Sequence, residues 1–77
     1  MDGMRKSIHT KEHAVFIERL KNARLDAGLS QAQVAKKIRS TQSYISKVES
    51  GDVRVDAIRL QRFAKVYGKD VAHFLKK

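Results

Sequence analysis

The chain has 77 residues, with 17 Lys and Arg against 8 Asp and Glu, and no cysteine. That length makes one small domain, the missing cysteine excludes a disulfide framework or a thiolate metal site, and no run approaches the roughly 18 apolar residues of a membrane span. A net charge of +9 and a pI near 10.3 favour a polyanionic partner, while 42% hydrophobic residues are too many for a disordered segment.

The chain contains no proline, and its glycines stand at 3, 28, 51 and 68. The last three each follow a helix-like segment, where a left-handed C-terminal residue is wanted, so an all-α fold is expected. Residues 1–9 lack periodicity and read as a flexible basic arm. Their polar character up to Ala14 does not match a secretory leader, and a cytoplasmic, nucleoid-associated protein is expected. Phe16, Leu20, Ala23 and Ala27 form one apolar stripe, which predicts a first helix from Thr10 to Ala27. In LSQAQV, Ser30 and Gln33 make a capping box, and Leu29 with Val34 a hydrophobic staple. Val34, Ala35 and Ile38 continue the buried face of this second helix. The fourth helix uses the same device, with Asp56 as cap and Val55–Leu60 as staple. Its buried face is Leu60, Phe63, Ala64 and Tyr67, ending at Gly68. Asp70 then caps a short fifth helix carrying Val71, Phe74 and Leu75.

The third helix lies in TQSYISKVESG, between the cap Thr41 and Gly51. At about 100° per residue, Ile45 and Val48 share one side with Tyr44 beside them. Gln42, Ser43, Ser46, Lys47 and Ser50 cover the other. An ordinary solvated face mixes Glu with Lys at i, i+4. This arc instead carries amides, hydroxyls and one amine, groups that hydrogen-bond base edges and phosphates, with Glu49 only at its border. One capped helix, a tight turn and a second capped helix make a helix-turn-helix at about 30–51, in which the second helix enters the major groove.

The run GLSQAQVAKKI…TQSYISKVESG resembles the phage-repressor and Cro-like, XRE-type helix-turn-helix family. The likeness extends over roughly Phe16 to Leu75. It implies a five-helix lambda-repressor-like domain spanning 10–77, and a small stand-alone transcriptional regulator, a repressor or a restriction–modification-controller-like protein. The resemblance makes Gln42, Ser43, Ser46 and Lys47 the base-contacting set, although Lys47 suits a guanine or a phosphate equally. It makes Gln31 a phosphate anchor that also braces the third helix. Thr41, Tyr44 through its hydroxyl, and Arg54 in the loop after Gly51 join the phosphate contacts. Arg24 and Glu49 resemble the family's structural ion pair between helices 1 and 3.

The sequence departs from the family at Arg39, where the turn commonly carries glycine. Either Arg39 is left-handed, at a cost on the order of 1 kcal/mol, with its guanidinium at the DNA backbone, or helix 2 runs on into a different turn. Lys36 and Lys37 favour the dipole of helix 2 or face phosphates, and Arg59, Arg62 and Lys65 read as the solvated side of helix 4. The expected partner is a palindromic double-stranded operator, bound by a homodimer joined through Val66, Tyr67, Val71, Phe74 and Leu75. No cofactor, metal, small-molecule ligand or membrane is expected. HTKEH (His9 to His13) matches the inverted-zincin pattern, but Thr10 as an ordinary helix cap with Glu12 in the first turn explains it better, and no enzyme is expected. The other class considered is an antitoxin-type protein-binding module that also binds operator DNA. A toxin-wrapping tail is the feature expected of it, and this sequence stops at Lys77.

Overall fold

Four of the helices begin where a short polar side chain takes up an orphaned backbone N–H. The Oγ1 of Thr10 accepts from His13 N at 3.1 Å, that of Thr41 from Tyr44 N at 3.1 Å, and Asp56 Oδ1 from Arg59 N at 2.8 Å. Ser30 and Gln33 satisfy each other's backbone N–H reciprocally. Each such cap contributes about 1 kcal/mol. The computed structural model describes residues 10–75, so the expected arm at 1–9 lies outside the described residues. The helices are α1 (Lys11–Asp26), α2 (Gln31–Lys37), α3 (Gln42–Glu49), α4 (Ala57–Tyr67) and α5 (Val71–Leu75). There is no strand among the described residues, and no helix there is long and apolar enough to cross a membrane.

The first four helices stop in the same way. After α2, Ser40 N donates to Ala35 O at 2.8 Å and Arg39 N to Lys36 O at 3.3 Å. This pair of bonds around a left-handed residue is the Schellman arrangement. The same two bonds recur at the ends of α1, α3 and α4, where the left-handed residue is Gly28, Gly51 or Gly68. At the end of α2 it is Arg39, with φ +59°. Of the two turns compatible with the sequence, the left-handed one is realised.

One core joins all five helices. Leu20, Val34, Ile45, Val48, Phe63 and Phe74 are fully buried at its centre. Tyr44, Phe63 and Tyr67 form a row of stacked rings, with centroids 6.5 and 5.8 Å apart. In α1 the inward face differs from the expected stripe. Ile17, Leu20, Ala23 and Arg24 point inward, Phe16 is half-buried and Ala27 is exposed. Ala27 sits at the C-cap, past the last turn that the core covers. A polar residue, Arg24, takes an inward position that a search for apolar spacing passes over.

Candidate nucleic-acid interface

The position of α3 follows from what its inner side touches. Ile45 and Val48 are buried, whereas Thr41, Gln42, Ser43, Ser46 and Lys47 are exposed. Behind the helix, Arg24 Nε donates to Glu49 Oε2 at 2.6 Å and Arg24 Nη2 to Glu49 Oε1 at 3.0 Å. The third guanidinium nitrogen, Nη1, donates to the Leu29 carbonyl at 2.9 Å. Gln31 Nε2 completes the cluster, donating to Glu49 Oε1 at 3.1 Å. The two charged side chains are only 10% and 6% exposed, so this two-pronged pair is weakly screened and geometrically specific. The hydrogen bonds it donates to Glu49 hold the Arg24 guanidinium above its ordinary pKa, against the opposing effect of burial. Nearby, burial above all, and then the charge of Glu49, push the Tyr67 hydroxyl well above the usual tyrosine range; Arg24 partly offsets them. Three elements (α1, the start of α2, and the end of α3) are thus tied together by one carboxylate. The tie leaves the outer arc of α3 without a carboxylate.

A comparison with family models matches the helix-turn-helix family over residues 20–74, more than half of the chain. The protein belongs to that XRE-type, phage-repressor-like family. No curated protein matches the sequence. The family is one of DNA-binding transcription regulators. In this helix-turn-helix protein, α2 and α3 are the two helices of the motif, and Ile38 to Thr41 make the turn.

The remaining site residues are distributed unevenly around that motif. Gln31 is half-buried, and its amide has one N–H left beyond the bond to Glu49. Ser50, although on the polar side, is occupied in capping: its hydroxyl contacts Lys47 O at 3.1 Å and Asp52 Oδ2 at 2.9 Å. Tyr44 departs from expectation. Its hydroxyl is buried without a hydrogen-bond partner among the described residues, because the ring lies flat along Phe63; it is not presented to a phosphate. The outer face of the same ring carries the Arg59 guanidinium, 4.6 Å from the centroid, a cation–π contact. Arg59, exposed as expected of the solvated side of α4, therefore also lies against the first turn of α3.

Arg54 lines a groove of about 620 Å³ formed by the first half of α1 and by α5, to which α3 contributes no residue. Of the five residues expected at a subunit contact, Tyr67 and Phe74 are in the core of the single chain, at 6% and 1% exposure. Val66 and Val71 are half-buried, and Leu75 is exposed. The pattern of α5 marks Phe74 as apolar but does not say against which chain it packs. In the zincin-like segment, His9 lies outside the described residues, and His13 packs on Phe16 with ring centroids 6.1 Å apart. No group of three or more His, Cys, Asp or Glu suited to a metal occurs among the described residues.

Sequence reasoning missed two relationships. One is Arg59 on Tyr44. The other is the meeting of Arg62 and Lys65 of α4 with Lys37 and Arg39 around a single concavity. The i, i+3 recurrence of Arg59, Arg62 and Lys65 was the available signal. Which neighbour that flank of α4 faces depends on how α4 packs against the turn.

Proposed function

We propose that this protein is a sequence-specific transcriptional regulator, a repressor or a restriction–modification-controller-like protein, that binds palindromic double-stranded DNA as a homodimer in the cytoplasm, on the nucleoid. One observation carries the reading. The exposed arc of α3 is free of carboxylates and is held from behind by the buried Arg24–Glu49 pair. Gln42 and Ser43, in the first turn of α3, are the leading base readers, with Ser46 and Lys47 one turn further on. A glutamine amide placed edge-on to adenine satisfies both its donor and its acceptor. Gln31 supplies its remaining amide N–H to a phosphate, and Thr41, whose oxygen already caps α3, has its hydroxyl proton to donate. Arg39 contributes its charge at the turn.

The homodimer rests on the α1–α5 groove, where Leu75 and Val15 are 58% and 42% exposed above Phe16 and Phe74. A second copy would cover these apolar side chains, and a two-fold pair would set half-sites about one helical turn, roughly 34 Å, apart.

The test is selection of bound duplexes from a random pool at physiological salt. Enrichment of a palindrome with that spacing supports the reading; a pool that stays random refutes it. On the selected site Gln42→Ala costs about 1–3 kcal/mol and leaves random-sequence binding unchanged. Equal loss on every duplex removes Gln42 as a reader.

A further inference from the structure

Between the end of α2 and the flank of α4 lies a second, smaller concavity of about 300 Å³, lined by Lys37, Ile38, Arg39, Arg62, Lys65 and Val66. Its floor is apolar, from buried Ile38 and half-buried Val66, and its four cations are exposed. No Asp or Glu lines it. Four like charges gathered on one small hollow repel each other in the free protein. The helix dipoles account for Lys37 and Lys65, which stand in the last turns of α2 and α4. They do not account for Arg62, nor for an arginine held left-handed.

Arg39 is the one described non-glycine residue with a positive φ. Keeping a cation there, where glycine would relieve the strain, is the kind of outlier that points to a function. Two contacts place the hollow beside the reading helix. Arg39 is two residues before the α3 cap, within about 8 Å along the chain. Arg59, one turn before Arg62 on α4, lies over the ring of Tyr44 in the first turn of α3. A continuous basic edge therefore runs from the start of α3 into the hollow.

We propose that this hollow is a second, sequence-independent DNA contact, which holds a phosphodiester group of the backbone that flanks the groove entered by α3. The inference rests on the reading of α3 as the groove-entering helix and adds to it a binding site built on α4. The Arg39 and Arg62 guanidinium forks match phosphate oxygens in pairs, and Lys37 and Lys65 act as point charges. A duplex strand carries a phosphate every 3.4 Å or so of helix axis, so a backbone passing the first turn of α3 brings one within reach of the hollow. That continuity favours the DNA backbone over an acidic protein segment.

The test is the salt dependence of binding to a random-sequence 30-bp duplex and to a selected site. It compares wild type with Arg62→Gln/Lys65→Gln, and with Lys21→Glu, which lowers the net charge by the same two units at an exposed position on α1 outside both concavities. Each lost phosphate contact flattens the log–log salt slope by about 0.9, so the α4 variant, which loses the one phosphate held in the hollow, should lose roughly 0.9. Between 50 and 200 mM salt its affinity then falls about 3.5-fold less than that of wild type. The flattening is the same on both duplexes, and the α1 variant keeps most of the wild-type slope. Equal slopes for the two variants overturn the proposal and leave only general charge. An unchanged slope, with loss of polyglutamate binding in the α4 variant alone, overturns it in favour of an acidic protein partner. If wild type binds no duplex, the reading of α3 falls and this inference with it; in the other two outcomes DNA binding survives and only the inference fails.

Discussion

Replacing Arg24 with alanine removes three hydrogen bonds at once, two to Glu49 and one to the Leu29 carbonyl. It leaves the Glu49 carboxylate, 6% exposed, with the Gln31 amide at 3.1 Å. Breaking a buried pair from one side costs about 3–5 kcal/mol, because the surviving charge is desolvated and uncompensated. A chain of this size has roughly 4–12 kcal/mol of total stability, so Arg24→Ala consumes a large share of it. With a urea slope of roughly 1 kcal/mol per molar, the unfolding midpoint should fall by about 3 M or more. Much of the loss comes from the stranded carboxylate. Glu49→Ala combined with Arg24→Ala should therefore be less destabilised than the sum of the two single variants, with a coupling of at least about 1.5 kcal/mol. Equilibrium urea titration of the four proteins reads this directly. A coupling below about 0.5 kcal/mol would mean that the pair behaves as an exposed surface salt bridge, and would refute its role in fixing the angle of α3.

Arg39→Gly should stabilise the protein. It removes a left-handed penalty of about 1–2 kcal/mol and adds back about 0.4–1 kcal/mol of glycine chain entropy. The net gain is about 0.5–1 kcal/mol, a melting-temperature rise of roughly 2–8 °C; destabilisation on thermal melting would show that the turn needs the arginine side chain for its own fold. Tyr67 makes stability depend on alkaline pH. Its folded pKa is raised, so above the unfolded value near 10 the unfolded chain loses a proton that the native state keeps. The stabilisation is complete below about pH 10 and declines above it by up to about 1.4 kcal/mol per pH unit. Urea midpoints followed from pH 8 to 11 should fall more steeply for wild type than for Tyr67→Phe; parallel curves would contradict the assigned shift.

The local structure of this protein is written in short stretches of sequence. Ser30 with Gln33, Thr41, and Asp56 each start a helix because the atoms involved are three residues apart, and no tertiary context is needed for a side chain to reach the N–H next to it. The buried faces of α2, α3 and α4 follow in the same way from helical spacing. So does the polar arc of α3, and with the family likeness the expectation of five helices and DNA binding. At Arg39 the sequence left two turns open. The packing of α2 on α3 requires the chain to reverse within Ile38 to Thr41, and the left-handed residue accomplishes that.

Only the tertiary structure decided which partners the faces meet. Phe74 and Tyr67 read as apolar whether they pack on their own chain or on a second one, and they pack on their own. Tyr44 was legible as lying between the apolar and polar sides of α3, but the ring of Phe63 turns its hydroxyl inward and leaves its outer face to Arg59. Arg62 and Lys65 are solvated residues in a helical projection, and become part of a four-cation hollow only because α4 lies along the α2–α3 turn. Caps and stripes are interactions over three or four residues, which the chain carries in its own order. The rest depends on contacts between residues about 15 or more positions apart, whose geometry exists only once the core has closed.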